Sequence, residues 1–137
     1  MSIPQTGGGR VGSKADLVRY LEEGCTPRAD WRIGTEHEKF GYRLDTLQPL
    51  PYEGACSVRA MLEGLAERFG WARIEEAGSL IGLEKDGANI SLEPGGQLEL
   101  SGAPLETIHQ TCDEVNEHLR EVREVADRIG AGFIGLG

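Results

Sequence analysis

The sequence has 137 residues, of which 39% are hydrophobic and 27% are charged, a balance typical of one globular domain. Fourteen Lys and Arg residues against 23 Asp and Glu residues give a formal net charge of −9, which argues against nucleic-acid binding and against binding to an anionic membrane. The sequence has no apolar run of transmembrane length, no secretory signal and only three cysteines without Cys-X-X-Cys spacing, so it predicts a cytoplasmic chain with reduced thiols.

The N-terminal third of the chain predicts a flexible segment followed by a short helix. Residues 1–12 hold four glycines and no apolar period, so we expect a flexible lead-in before a folded unit at residues 13–137. A helix is predicted at residues 14–23, because Ser13 and Asp16 resemble a capping box and Gly24 provides a stop.

Two further helices follow from apolar residues at three- and four-residue spacing. The first is predicted to start after Ser57, to end at Gly70 and to pack on a sheet through its apolar face. The second is predicted at residues 104–129, with Cys112 as a small apolar residue on its buried stripe. His109 and His118 lie off that stripe, so we expect both histidines to face solvent.

Strands are predicted between the helices, and the first carries two glutamates on one face. In the segment RIGTEHEKFGYRL, alternation places Glu36 and Glu38 together, and places His37 and Lys39 on the opposite face. We interpret His37 as a structural histidine. Lys39 and Arg43 are interpreted as solvated charges or charges that cover the sheet.

A hairpin is predicted around Asp86-Gly87, a dipeptide that favours a type I′ turn, and a further strand at residues 97–101 follows Pro94-Gly95-Gly96. With that turn, Glu93 faces Gln97 and Ser91 faces Glu99, which makes Glu93 and Glu99 diagonal neighbours on one face. The terminal AGFIGLG predicts the start of a buried strand, and we expect an element to follow it.

The two pairs Glu36/Glu38 and Glu93/Glu99 allow three interpretations. Magnesium prefers oxygen ligands and commonly bridges a few carboxylates to substrate phosphates, so the pairs could form a metal site. One face of an antiparallel sheet is also often simply solvated. A glycosidase-like acid and base pair would need two carboxyl groups at a set separation. Spacing alone leaves all three open.

Three motifs carry a resemblance to a known family: WRIGTEHEKFGY at 31–42, SLEPGGQLELSGAPLETIHQTCDEVNEHL at 91–119, and GFIGLG at the end. They resemble glutamate–cysteine ligase of the plant and proteobacterial type, in order over residues 13–137. The resemblance implies an α+β fold, an antiparallel sheet with helices on one face, as part of a glutamine synthetase-like catalytic fold. Residues 13–137 would be the N-terminal portion of that catalytic domain.

The resemblance also implies an activity and its ligands. Such enzymes join L-glutamate to L-cysteine in an ATP-dependent reaction through γ-glutamyl phosphate, the first step of glutathione synthesis. Glu36, Glu38, Glu93 and Glu99 would bind the magnesium ions that hold ATP and glutamate. No covalent enzyme intermediate is needed, so no nucleophile is assigned. In some plant members a cysteine in the long helix, here Cys112, serves redox regulation.

The chain is several times shorter than members of this family, so we expect it to be inactive alone. Its expected partners are ATP, L-glutamate and L-cysteine, together with a missing C-terminal segment or a second copy of the chain, and neither nucleic acid nor a membrane. The alternative is a non-catalytic domain, derived from the ligase, that binds divalent cations or another protein.

Overall fold

A computed structural model describes residues 9–136 of the chain. Most of the predicted flexible segment, residues 1–8, lies outside the described residues. The described residues form three α-helices, six β-strands and a 3-10 turn at Arg28–Asp30. The elements are α1 (Lys14–Glu23), β1 (Glu36–Arg43), α2 (Val58–Phe69), β2 (Ala72–Glu76), β3 (Ser79–Lys85), β4 (Ala88–Glu93), β5 (Gln97–Ser101), α3 (Ile108–Ile129) and β6 (Ala131–Ile134). The fold is α+β, as predicted.

The helix boundaries follow from side-chain caps. The predicted capping box of α1 is confirmed, since Ser13 accepts from the backbone of Asp16 while the Asp16 carboxylate accepts from the backbone of Ser13. Helix α2 begins after Ser57 and ends at Gly70 in the left-handed conformation, also as predicted. Helix α3 begins at Ile108, four residues later than predicted, because Thr107 forms its own capping box with Gln110.

The strands form one sheet in the order β2-β3-β4-β5-β1-β6, and all neighbouring strands are antiparallel. The hairpin between β3 and β4 turns at Asp86-Gly87, whose φ angles of 51° and 86° are both positive as a type I′ turn requires. The predicted strand at the end of the chain is β6, which pairs with the second half of β1. Strand β2 has no counterpart in the sequence prediction.

The hydrophobic core lies between one face of the sheet and helices α2 and α3. The predicted apolar face of α2 is confirmed, because Val58, Met61, Leu62 and Leu65 are buried. Helix α1 has no buried residue. No helix among residues 9–136 is long and apolar enough to cross a membrane.

The buried face of α3 differs from the predicted one. Cys112 is exposed, whereas the helix buries three polar and three apolar residues: Thr111, His118, Glu121, Val122, Val125 and Ala126. His118 was predicted to face solvent, and Lys39 was predicted to be a solvated charge or a charge that covers the sheet. Both predictions were wrong, since each side chain is only 2% exposed. Their burial is possible because the two side chains bond each other across the core, with 2.7 Å between Lys39 Nζ and His118 Nε2.

Candidate functional site: a carboxylate face on the sheet

The strand register brings the predicted glutamates to one face of the sheet. Glu38 on β1 lies directly opposite Glu99 on β5, and Glu99 lies opposite Ser91 on β4. Glu93 lies opposite Gln97, one diagonal step from Glu99, as predicted from the turn. Glu36 lies in the next row of the same face, opposite Ser101. We call this surface, defined by Glu36, Glu38, Glu93 and Glu99, the carboxylate face.

Glu99 is the central residue of the carboxylate face, and hydrogen bonds from two serines fix its carboxylate. Its side chain is only 7% exposed. Ser91 donates to Glu99 Oε2 over 3.2 Å, and Ser101 donates to Glu99 Oε1 over 3.3 Å. Sequence reasoning did not assign these serines a role, although their positions, opposite Glu99 and two residues after it, could have indicated that they share its face.

The environment of Glu99 disfavours a second negative charge. Burial raises the pKa of the Glu99 carboxyl, a hydrogen bond with the Glu93 carboxyl raises it further, and the hydroxyls of Ser91 and Ser101 act in the opposite direction. The side chains of Glu93 and Glu99 therefore come into direct contact from two neighbouring strands. Two carboxylates this close are stabilised by a proton or by a cation between them.

Glu36 and Glu38 are more open. Both are exposed to solvent, and Glu38 accepts a hydrogen bond of 3.4 Å from the side chain of Gln97. Among residues 9–136, no three His, Cys, Asp or Glu side chains lie close enough together to hold one metal ion. The common face is thus confirmed, whereas metal binding by the four glutamates stays a prediction. The ligand type is the one magnesium prefers, because the four side chains offer carboxylate oxygens, and two of them, Glu36 and Glu38, are long and exposed.

A buried cationic group lies behind the carboxylate face. The Lys39 ammonium donates to the carbonyl oxygens of His37 and Leu98, at 3.2 and 3.3 Å, and bonds His118. Burial lowers the pKa of Lys39 to about 8, although the nearby Glu99 carboxylate opposes the shift. Burial and then the charge of Lys39 lower the pKa of His37 and bring the pKa of His118 to about 3. His37 and Lys39 face away from the glutamates, as predicted.

The family follows from comparison with known proteins. Residues 32–137 match the model of glutamate-cysteine ligase family 2 (GCS2), which is most of the chain. The chain belongs to this family. Over 125 residues, which are 91% of the chain, it is 58% identical to glutamate–cysteine ligase A of Oryza sativa subsp. japonica, 55% to the Nicotiana tabacum ligase and 52% to the Arabidopsis thaliana ligase. It spans about a quarter of their length, from 23% to 25%.

The same comparisons correct the predicted location of this ligase-family chain. The three relatives are named chloroplastic, which contradicts the prediction of a cytoplasmic protein. The prediction rested on the lack of an apolar signal or membrane segment. That criterion detects secretion and membrane insertion, and plastid import does not depend on such a segment.

Proposed function

We propose that the chain supplies the magnesium-binding carboxylates of an ATP-dependent ligase that joins L-glutamate to L-cysteine. Its product would be γ-glutamylcysteine, the first intermediate of glutathione biosynthesis. The observation that carries the proposal is the row formed by Glu38, Glu99 and Ser91 across three neighbouring strands, with Glu93 in contact with Glu99, in a chain of the glutamate–cysteine ligase family.

The reaction needs positioning and charge neutralisation more than covalent help from the protein. The γ-carboxylate of glutamate attacks the terminal phosphate of ATP, ADP leaves, and the amine of cysteine then displaces phosphate from γ-glutamyl phosphate. When bound, magnesium supplies charge neutralisation for the phosphates. Glu36, Glu38, Glu93 and Glu99 would hold the metal, and the hydroxyls of Ser91 and Ser101 would keep the Glu99 carboxylate oriented.

Anionic substrates at the carboxylate face would need basic side chains that its strands do not provide. On strands β1, β3, β4 and β5, the residues that share this face by register include no Lys or Arg, since Lys39, Arg43 and Lys85 belong to the opposite face. ATP and glutamate both carry negative charge and need basic partners besides the metal. We therefore propose that the chain is inactive alone, and that basic groups from a further segment or a second copy complete the site.

A chimaeric enzyme tests this function without requiring the short chain to be active. The matching 125 residues of the Oryza sativa ligase would be replaced by those of this chain. We expect the chimaera to keep ATP-dependent formation of γ-glutamylcysteine. Glu36→Gln and Glu99→Gln in the chimaera should each lower kcat/KM by about 100-fold or more, because each removes a charge that organises the metal and phosphates.

Glu84→Gln is the matched control, because Glu84 shares the row of Glu36 but lies three strands away from it. We expect it to change kcat/KM by less than about threefold. An active chimaera that tolerates Glu36→Gln and Glu99→Gln equally well would disprove the role of the carboxylates. An inactive but folded chimaera would favour a non-catalytic domain derived from the ligase.

A further inference from the structure

The buried ammonium of Lys39 has three hydrogen-bond acceptors and no role in the reaction proposed above. The side chain is only 2% exposed. Its Nζ donates to the carbonyl oxygens of His37 and Leu98, at 3.2 and 3.3 Å, and to Nε2 of His118 at 2.7 Å. Because an ammonium group has three N–H bonds, these acceptors use its full capacity as a donor.

Stability alone does not account for a positive charge at this position. Among residues 9–136, no carboxylate oxygen lies within 4.0 Å of Lys39 Nζ, and the three acceptors are neutral. Replacing buried charged groups by apolar side chains of similar volume is often neutral or stabilising. A methionine would fill the same space without the cost of removing an ammonium group from water. The charge therefore indicates a requirement other than packing.

The two carbonyl groups that bind the ammonium directly precede the two central glutamates. The carbonyl of His37 precedes Glu38 on β1, and the carbonyl of Leu98 precedes Glu99 on β5. Glu38 and Glu99 lie opposite each other on the carboxylate face, whereas the side chain of Lys39 lies on the other face of the sheet. One ammonium group thus joins both strands at the row that carries the opposing glutamates.

Helix α3 holds the ammonium in place from the core side. Lys39 can only donate to His118, so Nε2 of the neutral imidazole is the acceptor. Further along α3, the buried side chains of Val122 and Val125 anchor the helix in the core. The ammonium is therefore fixed by three elements, β1, β5 and α3, and it resists any change in the separation of the two strands.

We propose that Lys39 is a positioning residue, which ties β1 to β5 and thereby holds Glu38 and Glu99 at the separation that magnesium requires. This role rests on the function proposed above, because it exists only if the glutamates bind the metal. Magnesium demands near-ideal octahedral geometry, so its affinity falls when two of its ligands are free to move apart. Lys39 acts from the opposite face of the sheet and contacts neither metal nor substrate.

Lys39→Met in the chimaeric ligase tests this role through the magnesium dependence of the reaction. We expect the magnesium concentration at half-maximal rate to rise about tenfold, because the two strands lose their common tie. Removal of a positive charge would by itself favour magnesium binding, so electrostatics cannot produce this rise. An unchanged or lower concentration, in a chimaera that still loses activity with Glu99→Gln, would overturn the role of Lys39 and leave the proposed function intact.

A measurement without metal or substrate follows the tie itself. In the 137-residue chain labelled with ¹³C, Lys39→Met should move the carbonyl signals of His37 and Leu98 upfield, because each carbonyl loses a hydrogen bond from an ammonium group. The carbonyl of Leu83 on β3 is the internal reference. Urea unfolding should show that the variant is as stable as the unaltered chain or more stable. Unchanged signals for His37 and Leu98 would reject the tie.

Two further variants separate the tie from the charge. Lys85→Met removes the same charge from the same face of the sheet, where Lys85 lies 3.6 Å from Glu121, and should change the half-maximal magnesium concentration less than about twofold. His118→Ala keeps the charge and both carbonyl bonds but removes the anchor on α3, and should raise that concentration about threefold. Equal effects of Lys85→Met and Lys39→Met would reject the proposal. If Lys39→Met does not fold, an unchanged concentration in His118→Ala overturns it.

Discussion

At the scale of single residues, Glu99 shows how neighbours set the charge of a carboxyl group. Its burial and the adjacent Glu93 carboxyl favour the protonated form, whereas Ser91 and Ser101 favour the ionised form. The sequence predicted that Glu93, Glu99 and Ser91 lie together on one face of the sheet, because strand alternation and the length of the turn between the two strands set which residues face each other. It did not predict the raised pKa, since burial depends on strands that pair only in the folded sheet.

Substitutions beside Glu99 should move its pKa in opposite directions. Ser91→Ala removes a hydroxyl that donates to the ionised carboxylate, so we expect the pKa of Glu99 to rise further. Glu93→Gln removes the neighbouring carboxyl, so we expect the pKa of Glu99 to fall. A ¹³C NMR titration of the side-chain carboxyl measures both shifts. Ser79→Ala, at the exposed start of β3, should leave the value unchanged, and a shift of the same sign in the first two variants would contradict this account.

His118 should make stability depend on pH in the acidic range. Its pKa is about 3 in the folded chain and about 6.5 when unfolded, so the unfolded state binds more protons between these values. The free energy of unfolding therefore falls as the pH drops below about 6.5, and the loss attributable to this residue approaches roughly 4 kcal/mol near pH 3. Urea unfolding at several pH values measures the effect.

The contribution of His118 is obtained by difference, because carboxyl groups also titrate in this range. We expect His118→Gln, which keeps an acceptor for Lys39, to have a shallower loss of stability between pH 6.5 and 4 than the unaltered chain. His109→Gln is the matched control, since His109 is exposed on the same helix. Identical pH profiles for His118→Gln and the unaltered chain would show that the histidine is not held neutral by burial.

At the scale of elements, the two core helices meet through a glycine. A Cβ atom added to Gly64 on α2 would lie 2.5 Å from Cγ1 of Val125 on α3, and Val125 is 1% exposed. The close approach of the helices therefore requires a residue without a side chain at this position. The amphipathic pattern predicted α2 correctly, but Gly64 gave no sign of this contact because its partner is far along the chain.

Gly64→Ala should destabilise the chain despite the better helix propensity of alanine. Overpacking against Val125 costs about 1–3 kcal/mol, whereas the propensity gain is about 1 kcal/mol, so we expect a net loss of roughly 1 kcal/mol in urea unfolding. In the Val125→Ala background the added methyl has room, and the same substitution should be neutral or stabilising. A loss of equal size in both backgrounds would exclude the steric explanation.

At the scale of the whole molecule, acidic side chains outnumber basic ones, 23 against 14, whereas the anionic substrates proposed above need basic partners. We expect the purified 137-residue chain, given ATP, magnesium, glutamate and cysteine, to form no γ-glutamylcysteine above a control without protein. Product that disappears in Glu36→Gln would show that the chain or its oligomer completes the site by itself. Chromatographic detection of the product provides the measurement.

The sequence by itself determined the features that depend on near neighbours. Helix caps at Ser13 and Ser57, the turn at Asp86-Gly87 and the common face of Glu93 and Glu99 all follow from residues within a few positions of each other. Local rules of capping, turn geometry and strand alternation are sufficient for such features. The family resemblance was also carried by contiguous motifs.

Only the tertiary structure decided which distant residues meet. It placed β1 between β5 and β6, and thereby set Glu38 opposite Glu99. It also buried Lys39 against His118, which lies 79 positions away, and exposed Cys112 on the other side of the same helix. Hydrophobic periodicity cannot predict this arrangement, because polar side chains enter a core only where a specific partner satisfies their hydrogen bonds, and that partner comes from another element.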